Sequence, residues 1–271
     1  MNNLNIAFIS HGGGPLPLLN DPGHEQLVTY LKSLPNKLEK PSAILLISAH
    51  WEEDVATITA SLKPKMIYDY SGFPPESYLL QYPSPGEPEL ALQVQQALKQ
   101  ADIPVKLDME RGYDHGLYVP LLLMYPEADI PTIQLSLVNN LDPEQHLAIG
   151  KALQSLNYDN LLVIGSGFSF HNMGAFFSPD TQDSRKKNNE FEHWLSTNLS
   201  DKKLSEVERN ESMLNWAKAP HARYCHPREE HLLPLYICYG LAGRASDEHE
   251  NITIVKKNSS AFIWHNQSRE R

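Results

Sequence analysis

The sequence ILLISAHW, residues 44–51, is the element around which this chain is organised. The run is short, branched and apolar, it follows Pro41, and the acidic residues 52–54 close it. This pattern is typical of a strand buried in a parallel sheet. Ligands of open α/β sheets bind just outside the carboxyl ends of the strands. His50, near the end of the run, is therefore a candidate site residue, although a core histidine hydrogen-bonded to backbone would give the same local pattern.

The same pattern occurs at two further predicted strands. LNIAFIS, residues 4–10, is followed directly by His11, and NLLVIGSG, residues 160–167, is followed shortly by His171. The chain contains 12 histidines against 6 methionines and 2 cysteines, a composition suited to metal binding or proton transfer. Three histidines at strand ends therefore predict one functional site.

Predicted strands alternate with predicted helices along the whole chain. This alternation indicates an α/β fold with a largely parallel, mixed central sheet flanked by helices, and residues 1–271 are predicted to form a single domain. The expected metal site lies at the carboxyl ends of the strands. VATITA, which starts at Val55, is expected to be the sheet neighbour of ILLISAHW, and His11 and His50 are expected to end adjacent strands. Asp21 is the predicted N-cap of a helix that begins at Pro22 and runs to about Leu34.

Composition bounds the partners and the compartment. The formal net charge is −10 with a pI of about 5.6, and no block of lysine or arginine occurs, which disfavours nucleic acid and anionic membranes as partners. The longest apolar run, LYVPLLLMY from Leu117, is too short to span a bilayer, and the first residues show no basic leader. Cys225 and Cys238 are expected to be reduced thiols. These features predict a cytoplasmic protein and leave open whether it forms a homo-oligomer.

A long segment rich in proline and aromatic residues, residues 61–88, interrupts the regular pattern. A connection of this length is uncommon unless it covers or lines a site. Its aromatic side chains favour a lid or a lining, and a plain surface loop stays the alternative. The aromatic members are Tyr68, Tyr70, Phe73, Tyr78 and Tyr82.

Metal sites need neutral or deprotonated donors that converge from several elements. His11 and His50 at strand ends and His231 before an apolar helix are the best ligand candidates. Glu229 and Glu230 could also bind a metal, although acidic residues are common at helix N-termini. The zinc-protease motif HEXXH and the nucleophile motif GXSXG are both absent from the sequence. The pattern therefore favours a metal centre over a serine nucleophile.

Five motifs carry a resemblance to a known family. HGGGPLPLL, SAHW, YDHG, GSGFSFHN and HPREEHLLPL, in this order, resemble the DOPA dioxygenase family of class III extradiol ring-cleaving dioxygenases. The resemblance covers most of the chain, from His11 to about Gly243. It implies that His11, His50 and His231 bind one divalent metal ion, with Fe(II) expected for activity.

The resemblance also implies roles for other residues. His171 would be the acid/base residue or a fourth ligand, and His115 would lie in the pocket beside the substrate and dioxygen. The implied reaction opens the ring of a small catechol beside its two hydroxyl groups and gives a muconic semialdehyde. Arg223, His226 and Arg228 are candidates for binding a substrate carboxylate, although surface salt bridges explain the arginines equally well.

Two departures from the family pattern leave the metal and the substrate open. The first turn reads HGGGP rather than HGSP, and His231 takes the place of the glutamate of the class III prototype. Three imidazoles suit Zn(II) as well as Fe(II). The alternatives to the dioxygenase are therefore a zinc hydrolase and a non-catalytic binding protein on the same scaffold.

Overall fold

A computed structural model describes residues 4–266 of the chain, and one eight-stranded sheet runs through them. The strands are β1 (Leu4–Ser10), β2 (Ala43–Glu53), β3 (Ala56–Thr59), β4 (Val105–Asp108), β5 (Thr132–Val138), β6 (Leu161–Gly167), β7 (Glu248–Ile254) and β8 (Lys257–Trp264). The helices are α1 (Glu25–Ser33), α2 (Pro88–Gln100), α3 (His115–Met124), α4 (Pro143–Leu153), α5 (Met173–Phe177), α6 (Gln182–Ser200), α7 (Glu206–Leu214), α8 (Ala222–Cys225) and α9 (Leu233–Ala242).

The sheet is parallel in its centre, and an antiparallel pairing flanks the central strands on each side. The strand order is β4-β3-β5-β2-β6-β1-β8-β7. Strands β5, β2, β6 and β1 run parallel, whereas β8 is antiparallel to β1 and β7 is antiparallel to β8. Strand β3 pairs parallel with β4 and antiparallel with β5. The predicted α/β fold with a mixed sheet is therefore confirmed.

Two expected neighbour relations are wrong. Strand β5 lies between β2 and β3, and β6 lies between β1 and β2. The physical reason is that every residue of β5 and β6 is buried, so both edges of these strands need hydrogen-bond partners. Consequently the ends of β1 and β2 are two strand spacings apart, about 10 Å. The side chains of His11 and His50 must reach across the end of β6 to meet.

Alternate residues of the central strands build two apolar layers. Phe8 and Leu45 belong to the layer that contains α2, α4, α6 and α9, whereas Ile9 and Leu46 belong to the layer that contains α1 and α3. Helices therefore cover both faces of the sheet. The carboxyl ends of the strands remain as the place where polar side chains can converge.

Helix α1 begins at Glu25 rather than at Pro22. Residues Pro22–His24 form a short 3-10 turn, and Asp21 makes no side-chain capping hydrogen bond. Its Oδ2 instead lies 2.7 Å from Nδ1 of His24, whose Nε2 accepts from the backbone N–H of Gly13 at 3.0 Å. Asp21 therefore stabilises the glycine-rich turn after β1 rather than capping a helix.

Within residues 4–266, no helix is both long enough and apolar enough to cross a membrane. The apolar run from Leu117 lies in α3, a helix of 10 residues. Cys225 and Cys238 are buried and free, as expected for reduced thiols. The cytoplasmic location itself stays a prediction.

Candidate metal centre

Three histidines converge at the carboxyl ends of the strands. His11 follows β1, His50 lies near the end of β2, and His231 lies just before α9. The Nε2 atoms of His11 and His50 are 2.9 Å apart, and one ligand nitrogen from each of the three lies within 4.8 Å of the others. His11 and His231 are buried, and His50 is partly buried. The structure thus brings together all three histidines that the sequence indicates as ligands.

The glycine-rich turn after β1 lets His11 face this cluster. Gly12 has a φ of +83°, in the left-handed region that favours glycine. A Cβ atom at this position would lie 2.6 Å from Cγ of Pro17. The backbone N–H of His11 donates to the carbonyl of Gly167 at the end of β6. The turn is therefore held against the neighbouring strand.

Hydrogen bonds to Nδ1 set the tautomers of two of the three histidines. Ser166 donates its hydroxyl proton to the carbonyl of Gly116, so its Oγ accepts from Nδ1–H of His11 at 3.1 Å. Glu230 Oε1 accepts from Nδ1–H of His231 at 2.9 Å. A protonated Nδ1 leaves the lone pair on Nε2, which is the atom that binds a metal. Both imidazoles are thereby prepared as ligands.

Burial keeps the three imidazoles uncharged. It lowers the pKa of His11 and that of His50 well below the ordinary value, and repulsion among the clustered histidines lowers both further. Burial also lowers the pKa of His231 to about 4, despite the opposing hydrogen bond to Glu230. Metal binding requires neutral imidazole, so at neutral pH no proton has to leave before a cation binds. The donor set therefore fits one divalent metal ion.

His171 flanks the cluster on the side of His231. It lies in the turn after β6, and its ring stacks on that of His231 with centroids 3.4 Å apart. Its Nδ1 is 3.1 Å from Oε1 of Glu230, the atom that also binds His231. Burial raises the pKa of Glu230, but the hydrogen bonds from His171 and His231 outweigh this effect and lower it. One carboxylate therefore holds a candidate ligand and the candidate acid/base residue together.

His115 flanks the cluster on the side of His50. It is the first residue of α3, and its ring centroid is 3.9 Å from that of His50. Asp69 holds it twice: Oδ2 lies 2.9 Å from Nδ1 of His115, and Oδ1 accepts from its backbone N–H at 3.0 Å. Burial raises the pKa of Asp69, but the contacts with His115 lower it overall. This flank also has a histidine fixed by a carboxylate.

The aromatic segment 61–88 contributes to this flank. It supplies Asp69, and the ring of Tyr70 lies 5.8 Å from that of His115. The hydroxyl of Tyr70 donates to the carbonyl of Ser77, and that of Tyr68 donates to a backbone carbonyl farther along the same segment. The segment is thus tied to itself while one part of it lies against the histidines, as the lining interpretation predicts.

Asp114 joins the end of β2 to the start of α3. Its Oδ1 accepts from the hydroxyl of Ser48 at 2.8 Å, and its Oδ2 accepts from the side chains of Gln134 and Arg111. Burial raises the pKa of this carboxyl group. A Cβ atom at Gly116 would lie 2.7 Å from Oγ of Ser48, so glycine permits this close approach. Each residue of the DHG motif therefore has its own role: Asp114 binds Ser48, His115 contacts Asp69, and Gly116 allows close packing against Ser48.

The proposed carboxylate binders already have partners within the chain. Arg223 pairs with Glu229 at 2.6 Å. The side chain of His226 is fully buried, and its Nε2 lies 2.6 Å from the carbonyl of Ser169. Carboxylates of the chain also surround Arg228, which lies 2.6 Å from Glu52 and 3.5 Å from Glu230. A substrate role for Arg223, His226 and Arg228 stays a prediction.

The fold and the site together define a class of protein. Neutral imidazoles at the strand ends can bind a metal ion, and two carboxylate-held histidines beside them can move protons. The sequence matches the family model described as the catalytic LigB subunit of aromatic ring-opening dioxygenase over residues 7–263, and the chain belongs to this family. The protein is an extradiol aromatic ring-opening dioxygenase.

Individual relatives agree with this assignment. The chain is 40% identical over 251 residues to "Dioxygenase tasH" of Hapsidospora irregularis. The aligned region covers 88% of this chain and 78% of that protein. It is 40% identical over 243 residues to "4,5-DOPA dioxygenase extradiol" of Beta vulgaris, with coverage of 88% and 87%. The crystal structure of an uncharacterized protein from Escherichia coli K12 matches with a TM-score of 0.76 at 26% identity, over 96% of this chain and 99% of that one. The resemblance predicted from the five motifs is confirmed.

Proposed function

We propose that the protein is an Fe(II) dioxygenase that opens the ring of a catechol beside its two hydroxyl groups, with His11, His50 and His231 as the metal ligands. The observation that carries the proposal is the convergence of three neutral imidazoles, each with one ring nitrogen within 4.8 Å of the other two and with the Nε2 atoms of His11 and His50 2.9 Å apart. Relatives named as extradiol dioxygenases of DOPA, itself a catechol, support the substrate class.

The donor set suits Zn(II) as well as Fe(II). Zinc has no redox chemistry, whereas the reaction class of the family consumes dioxygen, and this difference favours iron. When bound, the ion supplies open coordination positions for the catechol oxygens and for dioxygen. The protein residues around it bind, orient and exchange protons.

His171 is the proposed acid/base residue. Glu230 lies 3.1 Å from its Nδ1 and, as a carboxylate, accepts a hydrogen bond from Nδ1–H. The lone pair is then on Nε2, which takes a proton from a catechol hydroxyl and returns one later. Glu230 also stabilises the imidazolium that exists between these two steps. Proton transfer therefore depends on a carboxylate that also orients His231.

His115 is the proposed contact for substrate and dioxygen on the opposite flank. Asp69 accepts from the backbone N–H of His115 and lies 2.9 Å from its Nδ1, and these two contacts restrict rotation of the ring. Its ring lies against that of His50, within reach of a molecule bound beside this ligand. A fixed imidazole at this place orients a bound molecule without an entropic cost at the moment of reaction.

The test is oxygen uptake by protein purified without metal and loaded with Fe(II) under anaerobic conditions. A panel of catechols is added, and the muconic semialdehyde product is followed by its visible absorbance. Zn(II)-loaded protein is the matched control, because it fills the same site without redox chemistry. We expect oxygen uptake with the iron form alone, and no uptake with any catechol would refute the proposal.

A further inference from the structure

A cavity of about 170 Å³ opens beside the His171 flank. It begins at His171, whose ring stacks on His231, and at Gly12, the residue after His11. The cavity therefore adjoins the proposed acid/base residue, while His11, His50 and His231 themselves do not line it. Its walls are mainly apolar side chains, among them Leu16, Phe168, Met173, Phe176, Phe177 and Ile254.

Among the described residues, those that line the cavity include no lysine, arginine, aspartate or glutamate. His24 lines it as well, but both of its ring nitrogens have partners. Nδ1 lies 2.7 Å from Asp21, and Nε2 accepts from the backbone N–H of Gly13. A nitrogen that accepts a hydrogen bond carries no proton, so this imidazole is uncharged. Apart from His171, the cavity therefore offers no free side-chain partner for a charged group.

The residues that line the cavity differ in burial between its deep wall and its rim. Phe168 is buried and packs edge-to-face on Phe176, with ring centroids 5.7 Å apart. Asn172 caps α5 by accepting from the backbone N–H of Ala175. At the rim, by contrast, Met173 is 52% exposed and Phe177 is 83% exposed. Substitutions at the rim can therefore test the cavity without disturbing the core.

We propose that this cavity is the subsite for the ring substituent of the catechol, and that this substituent is uncharged and apolar, such as a short alkyl chain. The inference rests on the proposed function, in which the hydroxyls of the ring face the metal ligands and His171. An apolar cavity of roughly 150 Å³ can hold a benzene molecule, so the volume here accommodates a small alkyl group. The ammonium and carboxylate of an amino-acid substituent would lose their hydration there without gaining partners.

The first experiment measures affinity without turnover. Catechol, 4-methylcatechol, 4-ethylcatechol, 4-propylcatechol and DOPA are titrated by calorimetry into Zn(II)-loaded protein, because zinc has no redox chemistry and the ligands are therefore not turned over. We expect the dissociation constant to fall about fourfold for each added methylene. DOPA should bind at least roughly tenfold more weakly than 4-propylcatechol. Equal affinities along the alkyl series, or tighter binding of DOPA, would overturn the inference and favour the carboxylate binders Arg223 and Arg228.

The second experiment tests whether a cation at the cavity shifts the binding preference from an uncharged to a negatively charged ring substituent. Met173→Lys places a cation at the rim of the cavity, and Met109→Lys is the matched control because Met109 is similarly exposed and does not line the cavity. The ligands compared are 4-propylcatechol and 3-(3,4-dihydroxyphenyl)propionate, which carries a carboxylate. We expect Met173→Lys to shift the ratio of their affinities toward the carboxylate by roughly tenfold. A shift of the same size in Met109→Lys would contradict the inference.

The outcomes separate this inference from the proposed function. One outcome is that the iron form consumes no oxygen while the dissociation constants on the zinc form still fall with each added methylene. In that case the proposed reaction fails and the apolar subsite stands. If oxygen uptake proceeds while the dissociation constant does not change along the alkyl series, the proposed reaction stands and the apolar subsite is refuted.

Discussion

On one flank of the histidine cluster Glu230 binds Nδ1 of both His171 and His231, whereas on the other flank Asp69 lies against Nδ1 and the backbone N–H of His115 alone. Both flanks therefore use a carboxylate to fix an imidazole. They differ in what else the carboxylate touches. Glu230 holds a candidate metal ligand, and Asp69 holds none of the three central histidines.

This difference teaches how metal binding and proton transfer are coupled. Besides the central three histidines, two further groups within residues 4–266 could hold a metal ion, and each belongs to one flank. One group is His171, Glu230 and His231, and the other is His50, Asp69 and His115. If the ion lies in the centre, a change at Glu230 should affect both metal affinity and rate, whereas a change at Asp69 should affect rate alone.

The largest expected effect is the loss of the ion itself. His50→Ala removes an Nε2 that lies 2.9 Å from that of His11, and we expect metal content measured by mass spectrometry to fall to a small fraction of one ion per chain. His193→Ala, an exposed residue of α6, is the matched control and should keep its metal. Corresponding alanine variants of His11 and His231 should behave as His50→Ala does. Full occupancy in two of these three variants would contradict the ligand assignment.

The next effect is on rate at the His171 flank. His171→Gln should keep its metal and still bind catechol, because the central imidazoles are untouched. It should turn over roughly 10² to 10⁴ times more slowly, since glutamine cannot accept and return the proton. Metal content and oxygen uptake measured on the same preparation check this. If the variant loses its ion as completely as His50→Ala, His171 is a ligand and the proton passes through His115.

A smaller effect is expected at the carboxylate that the two functions share. In Glu230→Gln the amide oxygen can still accept from His171 and His231, but the negative charge is gone. Partners of this kind typically change metal affinity by about 10 to 100-fold, so competition with a chelator should show a loss in this range together with a lower rate. Glu229→Gln is the matched control, because Glu229 pairs with Arg223 instead. Unchanged metal affinity in Glu230→Gln would remove the proposed coupling between the two functions.

The sequence was sufficient to predict the fold class and the central histidines. Apolar runs that end in histidine locate the strands, and the carboxyl ends of parallel strands lie on one edge of a sheet, so His11 and His50 were expected to converge. The order of the strands could not be predicted, because it depends on which strands need partners on both edges. The local sequence patterns therefore do not indicate that β6 lies between β1 and β2, the strands that position these two histidines.

The two carboxylates show where prediction from sequence ends. Glu230 directly precedes His231, but at the predicted start of a helix an acidic residue has a sufficient local explanation. Its contact with His171 joins residues far apart in the chain. Asp69 lies in a proline-rich segment without period, and its contact with His115 depends on how that segment folds back. Tertiary contacts of this kind leave no local pattern.

The smallest expected effect tests the opposite flank. In Asp69→Asn the side-chain oxygen can still accept from the backbone N–H of His115, but the amide nitrogen replaces the carboxylate oxygen that faces Nδ1. The loss of this charged contact should lower kcat/KM by about tenfold. Metal affinity should be unchanged, because the contacts of Asp69 orient His115 and not one of the three central histidines.

Chelator competition and oxygen uptake, measured beside Asp129→Asn as an exposed control, separate these two quantities. Asp129 pairs with Lys40 at the surface, so its change should alter neither. A fall in metal affinity as large as that of Glu230→Gln would instead place the ion in the group of His50, Asp69 and His115. The ion would then have a carboxylate ligand, and Asp69 rather than Glu230 would couple metal binding to catalysis.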